Sequence, residues 1–271
     1  MTDISRERAR DWWRTEIIDI RPGVINLRGY PIAELIGNIS FAQTIWLCTR
    51  GDIPTEGQAA LLDAMLTAGV DHGPHAPSIA VARTSITCGI GINNAIGSAT
   101  NVMGDVHGGA GEQLMEIFAD IDRAVAQGAA LDAATAEIVD RYRTEVTKYV
   151  PGFGHRFHPK DPRGPRLFEL LDAAVAAGTI EGRYVAIARA ISAHIERASG
   201  RHQTMNIDGS GATILAELGF TPMLGRALFV LSRTVGIIAH AHEQSLDGTR
   251  NKGPLPRDFL YTYAGPDERH L

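Results

Sequence analysis

Residues 79–103 place the strongest constraint on how this chain folds. They are small and apolar, rich in Gly, Ala, Ser and Asn, and carry hardly any charge. A helix that is apolar on all sides is buried, and small side chains let neighbouring helices approach closely. Gly and Asn interrupt the stretch too often for a membrane span. We therefore expect a central helix, or a helix at a subunit interface.

Most of the remaining chain is also patterned for helices. Apolar residues at intervals of three and four predict a helix over residues 33–50, stopped by Gly51. Thr55 and Gln58 form a capping-box pair that opens the next helix. Thr221, followed by a proline, is the expected start of the last long helix. Further helical patterns cover residues 56–69, 130–148, 164–177 and 182–198.

One segment predicts β-structure. Residues 15–29 alternate apolar and polar side chains on both sides of Pro22 and Gly23, which is typical of a short hairpin. We find no other good strand pattern in the sequence. The expected architecture is mostly α, with polar residues confined to the breaks between helices.

Composition excludes several classes of function. The chain has 271 residues, enough for a large buried core, and its net charge of −5 gives no reason to expect nucleic acid or an anionic membrane as partner. Cys48 and Cys88 lie among apolar residues, so we expect small core residues in a reducing compartment. The N-terminus has no apolar signal region. These features predict a soluble cytoplasmic protein.

Four breaks between helices contain polar and titratable residues that could form a functional site. They read D-H-G-P-H, G-D-V-H-G-G-A-G, P-G-F-G-H-R-F-H-P-K-D-P-R and N-I-D-G-S-G, at residues 71–75, 104–111, 151–163 and 206–211. The third is a long loop in which histidines stand beside cations that can hold an anion. Its basic and imidazole residues are His155, Arg156, His158, Lys160 and Arg163.

The second and fourth breaks each place a titratable residue among glycines at a helix start. Backbone N–H groups are unpaired there and can meet a carboxylate, phosphate or enolate oxygen. His107 and Asp208 are the residues concerned. Each has an ordinary alternative, because Asp208 can be a helix cap and His107 a hydrogen-bonded structural histidine.

In their order and spacing these breaks resemble the citrate synthase superfamily. Further markers are R-G-Y-P at 28–31, S-F-A-Q at 40–43, G-D-I-P-T at 51–55 and S-R-T-V-G-I-I-A-H at 232–240. The short chain looks most like the compact citryl-CoA lyase members, and is similar to the C-terminal module of ATP-citrate lyase. The resemblance implies an all-α fold with a large helical domain (1–150 and 221–271) and a small one (151–220).

The resemblance also implies chemistry between acetyl-CoA and a 2-oxo acid. Making or breaking a C–C bond beside a thioester requires an enolate, and therefore a base for carbon and a donor for the oxyanion. The family pattern assigns these roles to Asp208 and His107, and the alcohol proton to His155. A coenzyme A thioester is then a substrate, and no metal is needed.

The same pattern implies substrate contacts. His72 resembles the histidine that holds the substrate hydroxyl or carboxylate, and Arg163 and Arg233 match carboxylate-binding arginines. Candidate CoA-binding cations are Lys148, Arg156 and Lys160. His75, His158, His240 and His242 receive no role; the last two are expected to be hydrogen-bonded histidines on a helix face.

One position departs from the family pattern. A further carboxylate-binding arginine, contributed to the neighbouring subunit's site, is expected where this chain has Gly253. Arg250, Lys252 and Arg257 are near in sequence, but none is in register. Losing one charge-assisted contact of about 1.5–3 kcal/mol predicts an acid substrate with one carboxylate changed or absent.

Three functions remain open from sequence. The first is a citryl-CoA lyase type enzyme producing acetyl-CoA and an oxaloacetate-like 2-oxo acid. The second is a synthase that condenses the same compounds, and the third is a non-catalytic acyl-CoA-binding subunit. The resemblance implies a homodimer or a higher oligomer. The sequence shows no nucleotide-binding loop, so a separate CoA ligase would form the thioester.

Overall fold

The computed structural model describes residues 6–154, 161–200, 203–253, 256 and 258–271, and these residues are mainly helical. The helices are α1 (Arg6–Trp12), α2 (Ile32–Leu35), α3 (Phe41–Arg50), α4 (Glu56–Gly69), α5 (Pro77–Thr87), α6 (Ile92–Asn101), α7 (Ala110–Ala126), α8 (Leu131–Glu145), α9 (Arg163–Ala176), α10 (Arg183–Ser199), α11 (Ile207–Glu217) and α12 (Pro222–Asp247). The predicted all-α class is confirmed.

The predicted N-terminal hairpin is present and has one additional strand. Strands β1 (Ile18–Arg21) and β2 (Val24–Leu27) pair antiparallel across Gly23, whose φ of +77° suits a glycine in a tight turn. A two-residue strand β3 (Tyr30–Pro31) pairs with the other side of β2. Two residues are too few to give an alternating pattern, which is why the sequence did not reveal β3.

The single helix predicted over residues 33–50 is wrong. The structure has α2 and α3 there, separated at Gly37 (φ +83°). Ser40 begins α3 through a capping box, in which its hydroxyl accepts from Gln43 N–H and its own N–H donates to the Gln43 side chain. Local hydrogen bonding therefore outweighs the continuous apolar periodicity. The stop at Gly51, with φ +95°, is confirmed.

The apolar stretch 79–103 forms two helices instead of one. It contains most of α5 and all of α6, and the break passes through Gly89 at φ +86°. The two helices pack on each other and on α12. They bury a small core of alanine and isoleucine side chains, and several other positions are exposed. The core residues are Ala76, Ile79, Ala82, Ala99, Ile237 and Ala241.

The main hydrophobic core is shared by α3, α4 and α7 to α12. Phe118, Leu62, Leu171 and Ile191 are among its fully buried side chains. This core joins helices from both of the domains that we predicted. The division into a large and a small domain stays a prediction.

Helix α12 is the longest in the described part of the chain. Its length and apolar composition are those of a helix that could cross a membrane, although core helices of globular proteins share these properties. It packs against α4, α5, α6, α7 and α11. Its start is as predicted: Thr221 caps it by accepting from Leu224 N–H, with proline in the first position.

The two cysteines are not the buried core residues that we expected. Cys48 is half-buried and Cys88 is exposed. Cys88 ends α5 at the break before α6, where the chain turns at the surface. Apolar neighbours in sequence therefore did not indicate burial at this position.

Candidate active site

The site is organised by the start of helix α11. Asn206, and not Asp208, is the helix cap, because its side-chain oxygen accepts from the N–H groups of Asp208 (2.9 Å) and Gly209 (3.2 Å). Asp208 therefore lies in the first turn, with its carboxylate available for other contacts. The alternative interpretation of Asp208 as a cap is wrong.

One cavity of about 350 Å³ brings together four of the predicted site residues. His72 comes from the loop after α4, His107 from the loop before α7, Asp208 from α11 and Arg233 from α12. His75, which received no role from sequence, also lines the cavity. Its remaining walls are Ala76, Pro77, Val106, Gly108, Ala110, Ile207 and Phe229.

Asp208 is held in an environment that disfavours its charge. Burial raises the pKa of its carboxyl group, and the positive charges of Arg233 and Arg163 oppose that shift only in part. A carboxyl group with a raised pKa can exchange a proton with carbon near neutral pH, either as a base or as an acid. The catalytic role of Asp208 stays a prediction.

His107 is held as a neutral imidazole. Its Nε2 lies 3.2 Å from the Ser78 backbone N–H and 2.9 Å from the Ser78 hydroxyl. Because a backbone N–H can only donate, Nε2 must accept, and the ring proton is then on Nδ1. Burial, with the nearby charge of Arg233, lowers the pKa of His107. Its Nδ1–H can donate to a developing oxyanion.

Arg233 is almost fully buried, with 3% of its surface exposed. Its Nε donates to the carbonyl of Gly69 at 3.0 Å, and its guanidinium lies over the ring of Phe229 at 5.2 Å. Burial lowers its pKa, against the opposing charges of Asp208 and Asp71. An arginine stays protonated in proteins, so Arg233 supplies a fixed positive charge to the cavity.

Arg163 does not line this cavity. Its Nε and Nη2 pair with both oxygens of Asp161, at 3.0 and 2.9 Å, and its Nη1 donates to the carbonyl of Ala68 at 3.3 Å. Asp161 is 1% exposed and also accepts from the Ile207 N–H at the start of α11. These contacts use the Nε hydrogen and one hydrogen on each terminal nitrogen, which leaves a second hydrogen on Nη1 and on Nη2.

The start of the 151–163 loop is attached to the same helix. Gly154 N–H donates to the Thr204 carbonyl (3.0 Å), and the Gly154 carbonyl accepts from the Asn206 side chain at 2.7 Å. Gly152 and Gly209 approach so closely that a Cβ on either would clash with the other's backbone. The predicted His155, Arg156 and Lys160, like His158, lie outside the described residues.

Lys148 is exposed and lies away from the cavity that holds Asp208. It lines a second cavity of about 580 Å³, together with Arg143, Tyr149, Phe153 and Gly154. Its ammonium lies over the Tyr149 ring at 5.1 Å. This second cavity combines two cations with two aromatic rings, beside the loop that carries the other candidate CoA-binding residues.

Comparison with known proteins assigns the family. A family model described as citrate synthase, C-terminal domain, matches residues 49–256, which is most of the chain. The chain belongs to the citrate synthase family. It is 29% identical to the citrate synthase of Haloferax volcanii over 225 residues, covering 81% of this chain and 55% of that enzyme. It thus spans about half the length of the curated relatives that it matches.

Two solved structures are similar to this chain. The citryl-CoA lyase of Hydrogenobacter thermophilus aligns with a TM-score of 0.80 and 32% identity, covering 94% of this chain and 96% of that one. ATP citrate lyase from Methanothrix soehngenii, solved with citrate and coenzyme A, aligns with a TM-score of 0.77 and 20% identity. The second covers 98% of this chain and 45% of that chain, and shows the fold alone.

Gly253, where the chain departs from the citrate synthase pattern, lies away from the cavity. The preceding Asn251 and Lys252 donate to Thr87, at the C-terminal end of α5. Ser78, the partner of His107, lies nine residues earlier on α5, about 13 Å away along the helix. Arg250 and Lys252 therefore do not replace the missing arginine in the cavity of their own chain. Arg257 lies outside the described residues.

Sequence reasoning missed the residues that hold the site in place. Ser78 and Asp161 contact His107 and Arg163, although neither was assigned a role. For Asp161 a clue existed, since it belongs to the D-P-R motif that matched the family. Ser78 lies 29 positions from its partner and had no comparable clue.

Proposed function

We propose that this protein is a citryl-CoA lyase type enzyme. It cleaves citryl-CoA, or a related 3-hydroxyacyl-CoA acid, to acetyl-CoA and an oxaloacetate-like 2-oxo acid. The observation that carries this proposal is that His107 and Asp208, whose pKa values are both shifted toward the neutral form, line one cavity that also contains Arg233. The 32% identity over nearly the full length of a citryl-CoA lyase supports it.

The proposed cleavage uses three residues. His155 takes the proton of the substrate hydroxyl, and the oxygen electrons form the carbonyl of the 2-oxo acid as the C–C bond breaks. The electrons of that bond move into the thioester, producing an enolate that accepts a hydrogen bond from His107 Nδ1–H. Protonated Asp208 then gives its proton to the enolate carbon, which yields acetyl-CoA. The raised pKa of Asp208 favours the protonated form that this step needs.

Substrate binding is assigned to residues around the cavity. Arg233 in the cavity wall and the remaining N–H groups of Arg163 beside it bind carboxylates, and His72 binds the hydroxyl or a carboxylate. For coenzyme A we propose the neighbourhood of the second cavity, with Lys148, Arg156 and Lys160. The ATP citrate lyase with a similar fold was solved with citrate and coenzyme A, which supports this class of ligand.

The direct test is incubation with citryl-CoA, with acetyl-CoA and the 2-oxo acid measured by mass spectrometry. We expect cleavage by the wild type and a loss of at least about a hundredfold in Asp208→Ala. If the wild type produces neither product, the lyase proposal fails. If Asp208→Ala retains full activity, the assignment of Asp208 fails.

A condensing synthase is the second candidate, favoured by the identity with citrate synthases. The same site serves both directions, and the two enzymes differ in whether hydrolysis of the thioester follows condensation. Acetyl-CoA and oxaloacetate should therefore release little free CoA from a lyase, and stoichiometric free CoA from a synthase. A non-catalytic acyl-CoA-binding subunit would bind CoA equally well with and without Asp208 and show no turnover of either substrate.

The acid specificity is proposed to differ from that of citrate enzymes. Gly253 is exposed and has no side chain to supply a carboxylate contact, and among the described residues no group beyond its chain neighbours lies within 4 Å of where a Cβ would be. A panel of 3-hydroxyacyl-CoA acids should contain a substrate better than citryl-CoA. Rapid turnover of citryl-CoA, with no better substrate in the panel, would refute altered specificity.

We also propose a homodimer formed through α12. Leu231, Val235 and Ile238 are 39%, 57% and 43% exposed, and their spacing places them on one face of the helix. Large apolar side chains on one helix face indicate a surface that another molecule covers.

Formation of the thioester is assigned to a separate CoA ligase in the cytoplasm.

A further inference from the structure

Helix α12 carries a polar network that the proposed reaction does not use. His240 Nε2 lies 3.3 Å from each carboxylate oxygen of Asp71, the residue before His72. His240 Nδ1 lies 3.1 Å from Nη1 of Arg83 on α5. Arg83 also pairs with Glu243, about one turn further along α12. Three elements of the fold therefore meet at one imidazole ring.

The partners of His240 determine which ring nitrogen carries the proton. A guanidinium has donors and no acceptor, so Nδ1 must offer its lone pair to Arg83. The proton of the neutral ring is then on Nε2, where it faces Asp71. Asp71 Oδ1 is buried and makes no hydrogen bond in the described part of the chain. The imidazole N–H therefore donates to Oδ2, while Oδ1 lies at the same distance of 3.3 Å without forming a hydrogen bond.

Asp71 in turn holds the backbone on both sides of His72. Its Oδ2 accepts from the Gly73 N–H at 3.2 Å, and its carboxylate also accepts from the His72 N–H. Burial opposes the charge of Asp71, but the hydrogen bonds from His240, Gly73 and His72 outweigh it and lower its pKa. An ionised carboxylate therefore fixes the two peptide groups that flank His72.

The segment before His72 lies along α12 in register with the helix. Ser232 donates to the Leu66 carbonyl, and one turn later a Cβ on Gly236 would lie 2.2 Å from the Val70 carbonyl. His240, one further turn along, reaches Asp71. Contacts four residues apart on one helix face thus hold the end of α4 and the start of the loop.

We propose that His240 is a positioning residue: by holding Asp71 it sets the place of His72 at the substrate cavity. The inference rests on the proposed function for the assignment of His72 to the substrate. His240 does not line the cavity, so its effect on the reaction passes through His72.

The kinetic test compares His240→Phe with His242→Phe. His242 is exposed on the same helix, so it is a matched control. We expect the KM for citryl-CoA to rise about tenfold in His240→Phe, with kcat changed less than about twofold, because a contact made equally in the ground and transition states affects KM alone. His240→Gln keeps an N–H donor and should restore part of the loss. An unchanged KM in both His240 variants would overturn the proposal.

A double-mutant cycle separates action through His72 from an independent effect. In a His72→Ala background, His240→Phe should change the KM less than twofold, because the residue that it positions is already absent. If His240→Phe raises the KM by the same factor in both backgrounds, His240 does not act through His72.

Amide hydrogen exchange tests the positioning without any assay of activity. Peptides covering residues 70–76 should exchange faster in His240→Phe and His240→Gln than in the wild type and His242→Phe. Equal exchange in all four proteins would overturn the proposal. If the wild type neither cleaves citryl-CoA nor condenses acetyl-CoA with a 2-oxo acid, the proposed function fails, while the exchange result still decides whether His240 orders this loop.

Discussion

Asp208 is expected to combine a catalytic benefit with a cost in stability. Because burial raises its pKa in the folded chain, its contribution to stability is complete below the unfolded pKa of about 3.9 and is lost as the pH rises through the folded value. Asp208→Asn removes this loss. The variant should be inactive, and more stable than the wild type by a margin that grows between pH 4 and pH 8.

Urea unfolding at the two pH values measures that margin. Asp63→Asn is the control, since it makes the same substitution at an exposed position on α4. A stability difference between Asp208→Asn and the wild type that is equal at pH 4 and pH 8 would contradict the prediction.

Asp161 is expected to have the opposite dependence on pH. Burial alone would raise its pKa, but the hydrogen bonds from Arg163 outweigh it and hold the pKa below the usual value. Its stabilising effect is therefore present above the unfolded pKa of about 3.9 and is lost as the pH falls through the folded value. Asp161→Ala should cost about 3 kcal/mol at pH 7, because it leaves a partly buried guanidinium unpaired.

The free energy of unfolding at pH 7 checks this value. Asp172→Ala provides the comparison, since Asp172 pairs with Arg189 on the surface, where both side chains are about half exposed. That change should cost less than about 1 kcal/mol. Similar losses of unfolding free energy in the two variants would contradict the prediction that the Asp161–Arg163 pair stabilises the fold more than the surface pair does.

At the scale of elements, glycines decide how closely α12 and α4 approach. Gly236→Ala would place a methyl group 2.2 Å from the Val70 carbonyl, so the loop that carries His72 must shift. We expect a loss of about 1–3 kcal/mol in stability and a higher KM. Gly97→Ala on α6 meets no atom within 4 Å and should stabilise the helix by about 0.5–1 kcal/mol. Thermal unfolding of the two variants should shift in opposite directions.

The elements were predictable where the controlling interaction is local. The capping pair of Thr55 and Gln58 and the turn at Gly23 were visible in sequence, because each involves residues within a few positions. The break before α3 was missed although Ser40 and Gln43 form the same kind of cap, since the apolar periodicity continued across it.

In the candidate site, the residues within sequence motifs were predictable and their supporting contacts were not. His107 and Asp208 stood out because they lie among glycines in matched motifs, and the structure brings them to one cavity. The contacts that hold such residues were not predictable from the chain alone. His240 and Asp71, for example, are 169 positions apart, so only the folded chain shows that they meet.

At the scale of the whole molecule, the exposed apolar face of α12 predicts self-association. Val235→Lys would place a charge in the centre of that face, which costs several kcal/mol if the face is buried. We expect light scattering to give a dimer for the wild type and a monomer for this variant. Leu246→Lys, an exposed site near the end of α12, is the control and should remain dimeric. A wild type that is monomeric at micromolar concentration would contradict the proposed dimer.

The ordered docking of the α4 end along α12 also limits which insertions and deletions the gene can accept. Each residue advances a helix by about 100°, so deleting one residue between Arg233 and Gly236 would leave Arg233 in place and turn His240 away from Asp71. Length changes inside α12 are thus excluded even where the exposed side chains are unimportant. New substrate preferences would therefore arise from changes in the loops that α12 supports, while the length of this helix stays constant.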